Sequence, residues 1–308
     1  MTGAVLLALV PVASLIGLGL ALRRSGFLAG AFWPQAERLA YYVLLPALFV
    51  HGLATARLDA VPVASLAAAL VLSTLAVAAV LFAARPWLGL DGAAYTSVFQ
   101  GGVRFNSFVG VTLAAGLFGA QGVALAATCV AVLVPTVNLL CVLVFARHGA
   151  ARATAPGIAR AVASNPLVLG CLIGGVLQTA GAGLPAVVEP VLRALGQASL
   201  PLGLLCVGAA LELGPARGWL RPLLAASVAK FALMPLAAAL ACAGLGLHGP
   251  AATAALLFQA LPTASSSYIL ARQLGGDAPL MAAITAVQTV LAAAAIPLAL
   301  AALPVPPG

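Results

Sequence analysis

Two polar, glycine-containing stretches set in apolar surroundings are where this sequence could do chemistry. The first reads Gly101-Gly102-Val103-Arg104-Phe105-Asn106-Ser107-Phe108-Val109-Gly110-Val111-Thr112. The second reads Gln259-Ala260-Leu261-Pro262-Thr263-Ala264-Ser265-Ser266-Ser267-Tyr268. Glycines and small hydroxyl residues at this density weaken a helix and let another backbone come close. Pro262 removes a backbone donor, and Asn106 carries an amide that must find partners wherever water is scarce. A helix that breaks inside a membrane restarts with unpaired N–H groups and a partial positive charge, which together favour an anion. Asn106 and the Ser265–Ser267 hydroxyls would add donors, so the chemistry expected is the holding of a carboxylate.

The charged residues narrow this further. Glu37, Asp59, Asp91, Glu189, Glu212 and Asp277 all fall at the ends of apolar runs or between them. That placement argues against a cation pump or proton relay built on buried acids. Two cations sit deeper, Arg104 and Lys230. A deep cation with no deep anion invites an anionic ligand; the competing reading is that both long side chains snorkel toward the cytoplasmic face. His51, His148 and His248 lie near the ends of apolar runs and are expected at the interface. Cys129, Cys141, Cys171, Cys206 and Cys242 lie inside apolar runs without metal-ligand spacing and read as small core residues.

These stretches must be positioned by membrane helices. Of the 308 residues, 64% are apolar and 6% charged, and the mean hydropathy is +1.17. Soluble domains carry about 25% charged residues, so the composition excludes a cytosolic enzyme or a secreted disulfide scaffold. Nucleic acid is also set aside as a partner, despite a net charge of +8, because no stretch interleaves basic and aromatic residues. A span needs about 20 apolar residues. Ten candidates lie near 3–22, 39–55, 61–84, 94–118, 122–146, 163–181, 190–212, 222–246, 250–271 and 279–301. Arg23, Arg24, Arg38, Arg85, Arg147, Arg152, Arg160, Arg217, Arg221 and Arg272 fall in the odd-numbered connections, while Arg57 and Arg193 fall on the other side. By the positive-inside rule both termini are outside. The positive residues Arg23 and Arg24 follow the first apolar run rather than preceding it, which suits a span and not a cleaved signal.

The two halves match at a shift of 155 residues, with Pro11 on Pro166, Gly19 on Gly174, Pro46 on Pro201 and Thr112 on Ser267. Five spans followed by five similar ones insert in opposite directions. Residues 1–153 and 154–308 are thus expected to be inverted repeats, a transporter architecture whose site lies where broken helices meet. The fold class expected is all-α and polytopic, with broken, crossed fourth and ninth spans.

At these residues the chain resembles the auxin efflux carrier family, including bacterial members described as malonate or malate permeases. The resemblance is carried by Arg104-Phe105-Asn106-Ser107-Phe108-Val109-Gly110, Leu117-Phe118-Gly119, Ser164-Asn165-Pro166-Leu167 and the stretch from Leu261 to Asp277. It implies a five-plus-five fold akin to that of bile acid–sodium symporters. Spans 1, 2, 6 and 7 would form a scaffold that also dimerises, and spans 3–5 and 8–10 a moving transport unit. An Asn of the fourth span binds the substrate carboxylate in the plant carriers, and Asn106 resembles it. Those carriers have prolines at the crossover, where this chain has Thr112 and Ser267. Resemblance and residue chemistry together give the substrate-site residues expected: Arg104, Asn106, Ser107, Thr112, Pro262, Thr263, Ser265, Ser266 and Ser267.

The function expected is secondary transport of small organic anions by an elevator-type movement, in a homodimer of the cytoplasmic membrane, without a cofactor or metal. The alternative is a sodium-coupled symporter, with Ser107, Asn138, Ser265, Ser266 and Gln288 as candidate ion ligands. An intramembrane enzyme would need a deep base beside a nucleophile, and no histidine is deep. A non-transporting receptor would need a signalling domain, for which the connections are short.

Overall fold

The computed structural model describes residues 2–55, 62–149, 164–211 and 218–303. The expectations placed on Arg57, Asp59, Arg152, Arg160, Glu212 and Arg217 lie outside the described residues. Every element there is helical: α1 (Thr2–Arg24), α2 (Phe32–Leu39), α3 (Leu45–Ala54), α4 (Val63–Leu88), α5 (Gly92–Val103), α6 (Ser107–His148) and α7 (Pro166–Thr179) come first. They are followed by α8 (Glu189–Ala209), α9 (Leu220–Val228), α10 (Met234–Gly244), α11 (Gly249–Gln259), α12 (Ser266–Leu274) and α13 (Ala278–Ala302). Six stretches among the described residues are long and apolar enough to cross a membrane: Leu7–Arg24, Val63–Leu88, Gly92–His148, Glu189–Ala209, Leu220–Gly244 and Ala278–Ala302. With its polytopic, apolar helices the chain is an integral membrane protein.

Two joints between helices are wide turns of the π type, Ala40–Leu44 between α2 and α3 and Ala229–Leu233 between α9 and α10. Each is followed two residues later by a proline, Pro46 or Pro235. Proline supplies no N–H and its ring crowds the carbonyl four residues back. The preceding turn widens to accommodate it without ending the helix. The kink in α6 has another cause: Gly119, at φ 57° and ψ −133°, folds the chain back between limbs 107–118 and 120–148. Only glycine enters that region without a steric cost.

The chain forms two compact units. One comprises residues 1–61, 107–134 and 163–210. Its helices approach through glycines. Gly19 of α1 lies against the Leu205 backbone of α8, and Gly208 of α8 against the Ile16 backbone of α1. Gly170 and Gly174 of α7 face Pro46 and the carbonyls of Phe49 and Val50 on α3. Small residues at such contacts let dispersion act over two whole backbones, the main cohesive force where lipid removes the hydrophobic one. Asn165 caps α7 by accepting from Leu167 N–H at 3.0 Å, with Pro166 in the first position, where a missing donor costs nothing. His51, expected only to face the interface, instead pairs its Nε2 with Glu189 Oε1 at 2.9 Å. Arg193 holds the other oxygen of that carboxylate at 2.8 Å.

The other unit comprises residues 62–106, 135–162 and 211–308. Asp91 and Asp277, acids at the ends of apolar runs, serve as caps: Asp91 accepts from Ala94 N–H at 2.8 Å and Asp277 from Leu280 N–H at 3.0 Å. The starts of α5 and α13 are tied together, since Asp277 N–H donates to Ala93 O at 3.2 Å and Ser97 Oγ to Asp277 O at 2.8 Å. From there the two helices advance side by side, Gly101 meeting Ile284. Helix α9 keeps the same direction, with Ala226 against Gly101 and Ala229 against Gly102. Tyr95 and Phe99 of α5 fill the interior with Leu81, Cys141 and Ala229, and the Tyr95 hydroxyl donates to Leu81 O at 3.1 Å.

Candidate functional site

Helix α5 stops at Val103. Arg104 is extended, at φ −75° and ψ 161°, and only its N–H still follows the helical ladder, donating to Gln100 O at 2.8 Å. Arg104, Phe105 and Asn106 are non-helical, and α6 opens at Ser107. The second polar stretch is broken too. Helix α11 ends at Gln259 and α12 starts at Ser266. Pro262 explains the stop, because the residue before a proline is pushed out of the helical region. Both breaks fall ahead of Thr112 and Ser267, the positions suggested for a crossover. Glycines on one side and a proline on the other open the helices earlier.

The two breaks are bonded main chain to main chain. Asn106 N–H donates to Pro262 O at 2.8 Å. Gln288 of α13 braces the same place: its Oε1 accepts from Thr263 N–H and its Nε2 donates to Gly101 O, both at 3.0 Å. The amide thus satisfies one backbone group freed by each break, and all of these atoms are buried. Unpaired, each would cost about 1–3 kcal/mol. Beside them, Thr263 Oγ1 and Ser267 Oγ share a hydrogen bond at 3.0 Å, and the Phe105 and Phe258 rings meet edge to face at 5.9 Å.

Arg104 does not reach back toward a surface. Its Nη1 donates to Asn138 Oδ1 at 2.8 Å and its Nη2 to Ser266 Oγ at 3.3 Å, so the guanidinium ties the end of α5 to α6 and α12 through neutral oxygens. Lys230 does not snorkel. It is 0% exposed, and its Nζ has no hydrogen-bond partner among the described residues.

The structure therefore gathers Arg104, Asn106, Asn138, Pro262, Thr263, Ser266, Ser267 and Gln288 into one unit, around one pair of breaks. Ser265, half-buried, directly precedes α12 and its carbonyl accepts from Tyr268 N–H at 3.0 Å. Ser107 and Thr112 belong to the other unit, where Thr112 Oγ1 is spent on Phe108 O at 2.8 Å, within its own helix. Gln259 and Gln100 were not singled out from the sequence. The Gln259 amide nitrogen lies 3.1 Å from Leu70 O, 2.8 Å from Ser73 Oγ and 2.9 Å from Thr74 Oγ1, gripping α4 from the last turn of α11. Gln100, one turn before Arg104, is fully buried with neither amide atom partnered among the described residues. Their position just before each break, as uncharged polar residues in apolar helices, was the available signal.

Chemically, the arrangement offers amide and hydroxyl groups and the start of α12, whose partial positive charge favours an anion. Among the described residues no cluster of three or more His, Cys, Asp or Glu could hold a metal. The family model described as membrane transport protein matches residues 4–300. No curated protein matches the chain.

Proposed function

The chain belongs to the membrane transport protein family, that of the auxin efflux carriers, and from that premise we propose that it is a secondary transporter of small organic anions, carboxylates in particular. In this reading the carboxylate binds where the α5–α6 and α11–α12 breaks meet. Asn106 and the hydroxyls of Ser265, Ser266 and Ser267 donate to it, and Thr263 and Pro262 shape the place. The observation that carries the reading is the Asn106–Pro262 main-chain bond, which puts two interrupted helices at one point. Interruptions paired in this way are where secondary transporters keep their substrates.

The wider architecture in the proposal is ten spans in two inverted repeats, 1–153 and 154–308, with both termini outside the cytoplasmic membrane. Spans 1, 2, 6 and 7 serve as a dimerising scaffold and spans 3–5 and 8–10 as an elevator. Of the described helices, α1, α3–α5 and α7–α13 each overlap one of the ten stretches read from the sequence and α6 covers two, while α2 meets one only at Leu39. The test is uptake of labelled mono- and dicarboxylates into proteoliposomes. Saturable uptake that falls by about 10- to 100-fold in Asn106→Ala, with the variant still folded, is the expected result. Uptake with unchanged kinetics in that variant would remove the site.

A further inference from the structure

Lys230 is the only lysine in the sequence; the other thirteen positive side chains are arginines. It lies in the wide turn Ala229–Leu233, is fully buried, and its ammonium is without a hydrogen-bond partner among the described residues. Its level follows from the register of three helices that advance together. Gly101 of α5 touches both Ala226 of α9 and Ile284 of α13, and Gly102 touches Ala229. Four residues further along a helix is the next position on the same face. Four beyond Ile284 is Gln288, the brace of the two breaks; four beyond Ala226 is Lys230; and beyond Gly102 α5 itself opens at Arg104. Lys230 thus stands level with the breaks, one turn past the contact that locks α5 to its neighbours.

The elements packed on this turn are α4, α5, α9, α10 and α13. Their charged or titratable residues are Arg85, Tyr95, Arg221 and Cys242, with Cys141 in the same cluster and Arg104 just past α5. None is a carboxylate. An unpaired ammonium away from water is costly, and the cost is relieved when an anion comes within reach. Arg104 is already committed to Asn138 and Ser266, so the sequence-level choice between the two deep cations resolves toward the lysine. Wide turns of this type often mark functional positions, because they expose backbone and redirect a side chain.

We propose that Lys230 is the charge-selecting contact of the anion site, meeting a second carboxylate of the ligand. This rests on the transporter reading above and adds to it the residue that would favour dicarboxylates over monocarboxylates. A compact ammonium with three donors suits that role, acting as a point charge where a planar guanidinium would demand a fixed geometry.

A single lysine makes the test direct. Protein labelled with 15N-lysine gives one side-chain signal, which is followed during titration with C3–C5 dicarboxylates, their monoamides and chloride. Calorimetry on the same samples reports binding itself. The expected result is a shift with dicarboxylates, a smaller one with the monoamides and none with chloride at matched ionic strength. Lys230→Met should lower dicarboxylate affinity by about 10- to 100-fold, the scale of one charge-assisted hydrogen bond, and leave monoamide affinity within about 3-fold. Carboxylate binding with an unmoved lysine signal overturns the role of Lys230 and leaves the transporter reading standing. An equal response to chloride overturns the substrate assignment. Absence of binding by any carboxylate overturns the transporter reading and this inference with it. The labelled wild-type protein decides the matter even where Lys230→Met does not fold.

Discussion

Asn106 and Pro262 lie 156 positions apart, and the N–H of the first donates to the carbonyl of the second at 2.8 Å. Each residue sits where its own helix has stopped. The bond therefore joins two irregular backbones that would otherwise leave polar groups unpaired away from water. Asn106 is 2% exposed, so its side chain lies in the interior and not at a surface.

Replacing Asn106 by alanine keeps the backbone bond and removes only the side-chain amide. Carboxylate uptake in proteoliposomes should fall by about 10- to 100-fold, the worth of one hydrogen bond to a charged group. The melting temperature checks that the fold is kept.

Arg104→Gln should behave as a change in framework. The guanidinium holds Asn138 and Ser266, and its loss should cost about 1–3 kcal/mol in denaturation. Transport of monocarboxylates and dicarboxylates should decline in the same proportion. A selective loss of dicarboxylates would return Arg104 to the substrate.

Gln288→Leu is isosteric enough to fill the space but leaves Thr263 N–H and Gly101 O without the brace. Two buried orphans should destabilise the protein by about 2–5 kcal/mol. Gln288→Glu, which can accept but not donate when ionised, should fail similarly. Thermal unfolding in a mild detergent reads both.

Exchanging sodium for potassium should leave transport rates unchanged within about 2-fold. Three of the candidate sodium ligands are already in use: Asn138 Oδ1 and Ser266 Oγ accept from Arg104 and Gln288 Oε1 from Thr263 N–H. A cation would have to displace both donors. Strict sodium dependence would show that it does.

Gly208→Val places new carbons against the Ile16 carbonyl, where there is no room. The expected cost is about 1–3 kcal/mol or more, from strain at a close helix contact. Gly175→Ala, facing open space, should be neutral or slightly stabilising by about 0.5–1 kcal/mol. The pair of melting curves separates packing from propensity.

Much of this was legible in the chain itself. Hydropathy alone marks the apolar helices, and the glycine and proline content of 101–112 and 259–268 marks where two of them open. Legibility failed where a partner decides the outcome. Arg104 and Lys230 are equivalent as isolated deep cations; only Asn138 and Ser266, distant in sequence, make one a tie and leave the other alone. The His51–Glu189 pair was hidden for the same reason, its members lying 138 residues apart. Gln259 and Gln288 look alike on paper, and the acceptors Ser73 and Thr74 on one side and Gly101 on the other give them different tasks.

The turn at Ala229–Leu233 contains one residue more than regular winding would need. Removing one of the five would restore the ordinary ladder and keep the two sides in phase, since the wide turn has already absorbed the extra residue. Ala226 could then still face Gly101 while Met234 kept its place in the interior. A single-codon deletion there would be felt at the turn itself, where the Lys230 side chain would be redirected, and far less along the rest of the span.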